Sequence, residues 1–588
     1  MVTNKIILLI LIKMSLLQKL KNKRQNLVEN NAIKNTESLE KSTKESPSID
    51  DLFAQMDFVK EMRMGTQHNL QARVLEQFQE YKLSKNDQKI ENTCIKKTTL
   101  LTPTIYQDFI RTYYKSYKHK GILLYNTVGS GKTFSSILMA ITGLKSNMFR
   151  KVIVLLPASL RVNYLDHITE YKDKFEIFSY NTISIIDKLP DLNNTLVIID
   201  ECQNLTSMIT NGSSIGIFMY RQLYNAKCRI IAMSATPIIN NTYEYASLFN
   251  LLKKNVFKFD IFEWNNTFYD ENGNMTNKKM FYDKINGLVS YYQGANDDSE
   301  VFPTHSVNIV KLQMHDYQTN AYNVIRQIEL KKEGKSKGGP KFISERNILL
   351  NKANSQSIGD FKVKSRQACN FVYPYPKTTV SDLDENDLIN NLHYYSVKFA
   401  EIIKKIKECN GVVMVYTYFV EHCLLVLKKA LDYHGISNVS WIGGLSDSDR
   451  RFTLERFNNP KNKDGKYVKV ILVSSAGAEG ISLKNVQEIH IIEPHWNEIK
   501  IKQIIGRAIR ICSHYTLPKE RQHVNVYRYI ATDSNQETSD ERVFFVSQKK
   551  YETDREFDTI IKSSAFDCRL NKQQNVDVSE CIEDHFTV

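Results

Sequence analysis

Short apolar runs alternate with helix-like patterns in two stretches of the chain, one after residue 100 and one after residue 410. Four runs lie in the first stretch, at residues 121–125, 152–156, 196–199 and 230–233, and three in the second, at 412–415, 470–473 and 489–492. Apolar runs of four or five residues with polar borders predict strands that are buried on both faces of a parallel sheet.

The segments between these runs carry helical spacing. After the first run, Phe134, Ile137, Leu138 and Ile141 recur at i, i+3, i+4 and i+7, which places them on one face of a helix. Buried strands that alternate with amphipathic helices are typical of α/β proteins with doubly wound sheets. The pattern therefore predicts two α/β lobes, each built on a parallel sheet.

The remaining segments of the chain lack this alternation of apolar runs and helical spacing. The predicted boundaries are 1–95 for a flexible N-terminal extension that turns helical and packs on the first lobe, 96–255 for lobe 1, 256–395 for a mainly helical, aromatic insertion and linker, 396–545 for lobe 2, and 546–588 for a loosely packed tail. Within the insertion, residues 331–341 are rich in lysine, glycine and proline. Because glycine and proline oppose regular structure, we expect a mobile basic loop there, in contact with phosphates or simply solvated.

Composition narrows the function classes. The 588 residues include 79 basic and 65 acidic side chains, a net charge of +14, which favours a polyanionic partner such as nucleic acid. Nine cysteines without a CxxC pair argue against a disulfide framework or a structural zinc site and favour a reducing compartment. The apolar run at residues 6–12 is too short to span a membrane. Met14 is a plausible start of the protein, and residues 1–13 are then either upstream sequence or a leader, with Met1 as the alternative start.

A glycine-rich loop follows the first predicted strand and opens the amphipathic helix, which is the position that a phosphate-binding loop requires. Lys132 would reach the β- and γ-phosphates of ATP, and Thr133 would bind Mg²⁺. Glycines let backbone N–H groups approach phosphates, and the helix N-terminus adds its positive dipole end. A chance match in a surface loop is the alternative, which the flanking strand and helix oppose. The loop, with Asn126 where the usual pattern has its first glycine, consists of Asn126, Thr127, Val128, Gly129, Ser130, Gly131, Lys132 and Thr133.

Two adjacent carboxylates, Asp200 and Glu201, end the third predicted strand. Neighbouring residues at such a position cannot share one role. We expect Asp200 to bind Mg²⁺ directly or through water, and Glu201 to act as general base on the attacking water. A solvated turn is the alternative reading of an Asp-Glu pair, but the buried strand before it favours the chemical one.

Small hydroxyl side chains end the next predicted strand, in the tripeptide Ser234, Ala235 and Thr236. At this position they can link a nucleotide site to a neighbouring lobe. The tripeptide is therefore predicted to couple the two lobes.

Far downstream, Gln503, Arg507 and Arg510 recur at i, i+4 and i+7 and predict one face of a helix. Arginines so placed can stabilise the charge that develops on a γ-phosphate when two lobes close. An ordinary exposed basic helix is the alternative. Gly506 costs about 1 kcal/mol inside a helix, so its presence predicts a close packing contact instead.

Four short motifs resemble those of superfamily 2 helicases and occur in the same order. They are Gly-Lys-Thr, Asp-Glu-Cys-Gln, Ser-Ala-Thr and Gln-x-x-Gly-Arg-x-x-Arg. The segment ending in Gln107 resembles the adenine-reading segment of Swi/Snf-type ATPases. The segment containing Pro157 and Ala158 resembles their first strand-contacting motif. Residues 474–483 resemble the motif that joins nucleic acid to the second lobe, through Ser475, Gly477 and Gly480. The resemblance covers roughly residues 98–545 and implies two RecA-like lobes that bind ATP and Mg²⁺.

Further segments resemble a narrower group. Whereas residues 493–497 resemble the Swi/Snf-type segment just before the arginine helix, a narrower group is indicated by residues 290–292, 302–303, 365–374 and 395–399. These four segments are similar to a set shared by poxvirus nucleoside triphosphatase I, the poxvirus early transcription factor ATPase, their relatives in other large cytoplasmic DNA viruses, and the helicases of yeast cytoplasmic linear plasmids. This resemblance implies DNA as the track, an RNA polymerase or transcription complex as partner, and a cytoplasmic location, with the virion as an alternative.

The expected function is therefore an ATP-dependent translocase or helicase that acts on DNA, in transcription or replication of a cytoplasmic viral or plasmid genome. Two alternatives stay open at this point. One is a non-catalytic scaffold that keeps only the fold, although Lys132, Glu201 and Arg507 are all present. The other is an RNA helicase.

Overall fold

The computed structural model describes residues 69–82, 103–127, 130–157, 160, 161, 164, 168–271, 273–294, 302–335, 363–375, 378–475, 477, 481–510 and 512–582. Two sheets of six strands lie at the centres of two lobes in these residues. Neighbouring strands are parallel in both sheets. The prediction of two α/β lobes of the RecA-like type is confirmed.

Lobe 1 is built on six strands, namely β1 (Gly121–Asn126), β2 (Lys151–Leu156), β3 (Phe175–Ser179), β4 (Thr195–Asp200), β5 (Arg229–Ser234) and β6 (Val289–Tyr292). Their order across the sheet is β3-β2-β4-β5-β1-β6. The helices of this part are α1 (Leu70–Gln77), α2 (Ile105–Ser116), α3 (Lys132–Lys145), α4 (Ile185–Lys188), α5 (Cys202–Thr210), α6 (Ser214–Asn225), α7 (Glu244–Leu252), α8 (Ile261–Phe268) and α9 (Lys278–Ile285).

Lobe 2 is built on β7 (Thr304–Gln313), β8 (Val412–Thr417), β9 (Asn438–Trp441), β10 (Val470–Ser474), β11 (Val486–Ile491) and β12 (His523–Thr532). Their order is β7-β12-β11-β8-β10-β9. Its helices are α10 (Asp316–Lys335), α11 (Val363–Asn370), α12 (Glu385–Ile389), α13 (Leu392–Tyr395), α14 (Val397–Glu408), α15 (Leu425–Tyr433), α16 (Asp447–Phe457) and α17 (Glu498–Ile505), and the chain continues into α18 (Ser539–Ser563) and α19 (Cys568–Asn571).

The seven predicted strands correspond to β1, β2, β4, β5, β8, β10 and β11, and nearly all their residues are buried. Each lies between layers of helices, so its apolar side chains are covered on both faces of the sheet. The predicted amphipathic helix is α3, in which Ile137, Leu138 and Ile141 are buried. Strands β1 and β4 of lobe 1 end at Asn126 and Asp200, where the predicted phosphate-binding loop and the predicted acid pair begin.

The segment predicted to be a helical insertion also contributes a strand to each sheet. Strand β6 pairs with β1 at the edge of lobe 1, and β7 pairs with β12 along its full length at the edge of lobe 2. The apolar pattern missed β6 because the polar Ser290 interrupts it, and it missed β7 because that strand is largely exposed. An edge strand is covered less completely, so it does not need a continuous apolar run.

The expected basic loop begins later than predicted. Helix α10 continues to Lys335, so the prediction of irregular structure is wrong for residues 331–335, and residues 336–341 lie outside the described part of the chain. Lysine and glutamate favour helices, and Gly334 falls in the last turn of α10, where a glycine interrupts little.

The prediction of a loosely packed C-terminal tail is wrong. Helix α18 leaves lobe 2 and returns to lobe 1, where Phe557, Ile560 and Ile561 join the buried core. These three residues recur at i, i+3 and i+4 and form one apolar helix face. Cys568 and Cys581 form a disulfide, which corrects the expectation that the cysteines are unpaired. Their separation of 13 residues carries no motif that the sequence alone could identify.

The N-terminal extension is described only from residue 69 to residue 82. Helix α1 packs on lobe 1 as predicted. Phe78 contacts the ring of Phe109 at 5.5 Å, and the Gln71 amide donates to the carbonyl oxygens of Ser563 and Ala565 at 2.8 Å. Residues 1–68, with the apolar run and Met14, lie outside the described residues. Of the helices that the structure does describe, none combines the length and the apolar character needed to cross a membrane.

Candidate active site

The predicted phosphate-binding loop leaves β1 at Asn126 and enters α3 at Lys132. Gly131 caps α3 with a φ of 81°, a left-handed conformation that glycine adopts without strain. The Lys132 ammonium donates to the carbonyl oxygens of Asn126 and Thr127 at 2.9 and 3.1 Å. The Lys132 ammonium, which is predicted to bind phosphate, is therefore held at the first two residues of the loop.

Ser130 and Thr133 lie on either side of Gly131 and Lys132 in this loop. The Ser130 hydroxyl donates to the Thr127 carbonyl oxygen at 2.8 Å. Thr133 lies in the first turn of α3, beside the helix N-terminus. Val128 and Gly129 lie outside the described residues.

Gln107 reaches the same loop from helix α2. Its side-chain oxygen accepts from the Thr104 N–H at 2.9 Å and so caps the helix start. Its amide nitrogen lies 3.5 Å from the Gly131 carbonyl oxygen. The glutamine predicted to read adenine is thus placed against the phosphate-binding loop.

The two predicted carboxylates lie at the end of β4. Asp200 is buried, and this burial is the main cause that raises its pKa to about 7. The neighbouring Glu201 carboxylate raises the pKa further, whereas the charge of Lys132 lowers it. Burial lowers the pKa of Lys132, while Glu201 and Asp200 act in the other direction. These three side chains therefore interact electrostatically with one another.

Glu201 has a left-handed backbone conformation, with φ of 49° and ψ of 51°. A non-glycine residue rarely adopts this conformation, and the surrounding structure must hold it. The Tyr180 hydroxyl contacts the carbonyl oxygens of Asp200 and Glu201 at 3.0 and 3.1 Å. Tyr180 therefore supports the turn that separates the two carboxylates, and no motif in the sequence points to this role.

A chain of hydrogen bonds connects Glu201 with the second lobe. The Gln203 amide donates to the Glu201 carboxylate at 2.8 Å, and the Ser234 hydroxyl donates to the Gln203 oxygen at 2.7 Å. Ser234 Oγ also accepts from the Thr236 N–H at 2.8 Å. The Gln503 amide of lobe 2 then donates to the Thr236 hydroxyl. Gln203 was not among the predicted site residues, although its position in Asp-Glu-Cys-Gln marks it.

The two predicted arginines do not lie within a helix. Helix α17 ends at Ile505, and Arg507 and Arg510 follow in the turns beyond its C-cap, Gly506. The expected close packing at Gly506 is also wrong, because an added Cβ would find its nearest atoms at 3.4 Å. The Gly506 backbone, with φ of −63° and ψ of −6°, is also open to any residue, so nothing in the structure explains this glycine.

The arginines nevertheless face the acid pair of lobe 1. Burial and the charge of Arg507 lower the pKa of Arg510 to about 10, whereas Glu201 acts to raise it. Both arginine charges also contribute to the lowered pKa of Lys132. Charges from both lobes therefore act on the same site.

The residues predicted to contact nucleic acid lie at strand ends. Pro157 follows β2, and Ser475 follows β10. Gly477 packs against Trp441, whose indole N–H donates to the Gly477 carbonyl oxygen at 2.6 Å. A side chain at Gly477 would collide with this tryptophan, which explains the glycine. Ala158 and Gly480 lie outside the described residues.

Sequence reasoning missed one further feature beside this motif. The Arg450 guanidinium lies over the Trp441 ring at 5.3 Å from its centroid. A cation on an indole face is a stable arrangement that also leaves hydrogen-bond donors exposed. The available signal in the sequence was Trp441, which lies two residues before a pair of glycines.

Two RecA-like lobes that bring a phosphate-binding loop and an acid pair together with arginines from the other lobe form the architecture of a helicase-type ATPase. The SNF2-related domain family matches residues 175–371, and the helicase conserved C-terminal domain family matches residues 397–512. The chain belongs to the SNF2-related, Swi/Snf-like family of superfamily 2 helicases.

Three relatives illustrate this membership. A protein of Acanthamoeba polyphaga mimivirus, named as an ATP-dependent RNA helicase, is 31% identical over 85% of this chain and 95% of its own length. A termination factor NPH-I homolog of African swine fever virus is 26% identical over 77% of both chains. Nucleoside triphosphatase I of Heliothis armigera entomopoxvirus is 27% identical over 76% of both chains.

Proposed function

We propose that the chain is a Mg²⁺-dependent ATPase that uses hydrolysis to move along DNA. Lys132 binds the β- and γ-phosphates, and Glu201 takes a proton from the attacking water. Arg507 and Arg510 stabilise the negative charge that develops on the transferred phosphoryl group. Membership in a family of helicases and nucleoside triphosphatases supports ATP as the substrate.

The residues present fit a magnesium ion. Asp200 is a buried carboxylate whose pKa is raised to about 7 by burial and by a second carboxylate beside it. A hard cation at this position would offset that repulsion, and its preferred ligands are carboxylate, hydroxyl and phosphate oxygens. Asp200 and Thr133 would hold the ion, which supplies charge neutralisation on the phosphates.

The observation that carries the proposal is the hydrogen-bonded chain from Glu201 through Gln203, Ser234 and Thr236 to Gln503. It joins the proposed general base to the arginine-bearing segment of the other lobe. A shift of lobe 2 would therefore act on the base directly. Such a connection suits an enzyme whose hydrolysis depends on lobe closure and hence on the bound track.

The net charge of +14 and the strand-end residues Pro157, Ser475 and Gly477 support nucleic acid as the track. We assign DNA because the poxvirus-like segments accompany the Swi/Snf-like motifs. A termination factor homolog among the relatives supports a role in transcription, with an RNA polymerase complex as partner. These relatives come from viruses, which supports a viral genome as the setting, and the plasmid alternative rests on the sequence resemblance alone.

RNA is the second candidate track, because the mimivirus relative is named as an RNA helicase. The two candidates differ in which polymer stimulates hydrolysis. Steady-state ATPase rates should be measured with single-stranded DNA, duplex DNA and RNA of matched length, alongside a strand-displacement assay. We expect DNA to stimulate hydrolysis most strongly. Stimulation by RNA alone would replace the DNA assignment, and stimulation by no polymer would favour the scaffold alternative.

Glu201→Gln tests the chemical assignment within the same experiment. The substitution removes the base but keeps the shape of the side chain, so we expect turnover to fall by about 10²–10³-fold. Binding of a fluorescent ATP analogue should persist, because Lys132 and the loop are unchanged. Near-normal turnover in this variant would show that another group activates the water.

A further inference from the structure

The edge strand of lobe 1 is covered by residues 564–582, here called the C-terminal segment. The Phe566 N–H donates to the Val289 carbonyl oxygen of β6 at 3.0 Å, and the Asn575 amide donates to the Tyr291 carbonyl oxygen at 2.9 Å. The Gln293 N–H just beyond the strand donates to Asn575 Oδ1 at 2.8 Å. A chain end that follows lobe 2 thus occupies the free edge of the sheet in lobe 1.

A second set of contacts runs from this segment towards the phosphate-binding loop. The Ser290 hydroxyl donates to Asp567 Oδ2 at 2.6 Å. The Tyr106 hydroxyl lies 2.9 Å from Ser290 Oγ and 3.1 Å from Asn126 Oδ1, and its one proton is shared between these two acceptors. All four residues are almost fully buried, with exposures of 0–1%. In such surroundings each hydrogen bond restricts the position of the next group.

Tyr106 is well placed to transmit this restriction. Its ring stacks on Tyr292 at a centroid distance of 4.2 Å with an angle of 9° between the planes. Its neighbour Gln107 contacts the other end of the loop, at the Gly131 carbonyl oxygen. Two consecutive residues at the start of α2 therefore touch the first residue of the loop and the residue before Lys132.

The chain of contacts also explains an unusual residue. Asn126 stands where a phosphate-binding loop usually has glycine, and glycine has no side chain to receive the Tyr106 hydroxyl. The Asn126 carbonyl oxygen accepts from the Lys132 ammonium at 2.9 Å. The same residue thus contacts Tyr106 through its side chain and the catalytic lysine through its backbone.

We propose that Asp567, Ser290 and Tyr106 are positioning residues that hold the phosphate-binding loop through Asn126, so that the nucleotide site of lobe 1 is incomplete without the C-terminal segment. The inference rests on the proposed ATPase function. It assigns to the end of the chain a role in ATP affinity rather than in chemistry, because none of the three residues reaches the acid pair or the arginines.

The test measures the Kd for a fluorescent ATP analogue with Mg²⁺, together with kcat and KM for ATP. Tyr106→Phe keeps the ring and its stacking on Tyr292 but removes the hydroxyl. We expect it to weaken nucleotide binding by about three- to tenfold, the effect of one buried hydrogen bond, with kcat within about twofold of the unmodified protein. Ser290→Ala should shift Kd in the same direction.

Two further variants separate positioning from general loosening. Tyr291→Phe removes a 2.6 Å hydrogen bond from Tyr291 to Asp577, which joins the same two elements but does not lead to Asn126. It should leave nucleotide affinity unchanged. Asn126→Gly restores the usual glycine, and combining it with Tyr106→Phe should weaken binding no further than the stronger single variant.

Unchanged affinity in Tyr106→Phe, or an equal loss in Tyr291→Phe, would overturn the inference. Additive losses in the Asn126 and Tyr106 double variant would also overturn it, since the two residues would then act separately. Failure of the unmodified protein to bind the ATP analogue would instead refute the proposed function. The two failures are therefore distinguishable in one set of titrations.

Discussion

Lobes 1 and 2 share six parallel strands, yet they place their charged groups differently. In lobe 1 the charged side chains Lys132, Asp200 and Glu201 gather at the ends of strands, where a substrate can reach them. In lobe 2 a connected group of polar and charged side chains is buried. There, Lys398 pairs with Asp540, and both side chains have no exposed area.

The buried network of lobe 2 leads to the segment that carries the arginines. The Lys398 ammonium also donates to Asn370 Oδ1 at 2.8 Å, and the Asn370 amide donates to Glu493 at 3.1 Å. Arg366 donates to the carbonyl oxygen of Pro494, immediately after Glu493. Helix α17 and the two arginines follow a few residues later. The comparison shows that the charged groups of lobe 1 are placed to act on a substrate. The buried charged groups of lobe 2 instead fix the segment that precedes α17 and the two arginines.

The largest effect should come from the place where the lobes meet. Arg510→Ala removes a charge that acts on the site of lobe 1 from lobe 2, so we expect kcat to fall by at least about 10³-fold. Binding of a fluorescent ATP analogue to lobe 1 should change little.

Arg521→Ala is the matched control. Arg521 is also in lobe 2, but it pairs with Asp464 at 2.7 Å, near the opposite ends of the strands. Normal turnover in Arg510→Ala would mean that the two lobes do not share one reaction.

A smaller effect, on stability rather than turnover, should come from the buried network. Lys398→Met leaves Asp540 buried without its partner, which is expected to cost about 3–4 kcal/mol of unfolding free energy in lobe 2. Chemical denaturation followed by circular dichroism measures this loss. Lys428→Met, which breaks an exposed pair with Asp432, should cost less than about 0.5 kcal/mol. Equal losses in the two variants would remove the contrast between the lobes.

The smallest effect should come from the hydrogen bond that joins the lobes. Thr236→Val keeps the shape of the side chain but cannot receive the Gln503 amide. We expect polymer-stimulated ATP turnover to fall by about three- to tenfold, as for one hydrogen bond at a partly buried site. Combining it with Gln503→Ala should add little, because both changes break the same contact. Fully additive losses would show that the two side chains act through different partners.

Much of the candidate site could be predicted because its residues belong to short motifs. The phosphate-binding loop, the acid pair and Ser234 each follow an apolar run, so a single stretch of sequence contains both the strand and the functional residue. Arg507 and Arg510 were also identified from the sequence, but the helix predicted to carry them ends before them, at Ile505. A spacing of i, i+4 and i+7 is compatible with a helix but cannot indicate where its last turn ends.

Tyr180, the Gln203 contacts and the C-terminal segment could not be predicted in the same way. Tyr180 supports the acid pair from 20 residues away, and Asp567 meets Ser290 across 277 residues. Contacts between distant residues leave no period in the sequence around either partner. Strand β7 was missed for a different reason: it is an edge strand whose residues are largely exposed, so it carries no continuous apolar run.

The sequence by itself determined that this protein has two α/β lobes, and it placed the phosphate-binding loop, the carboxylates and the arginines in order along the chain. Apolar periodicity and glycine-rich motifs act over a few residues, so they can be read locally. Only the tertiary structure decided that the end of the chain returns to lobe 1 and that Gln503 meets Thr236. Those contacts depend on the burial of distant surfaces against each other, which no local pattern specifies.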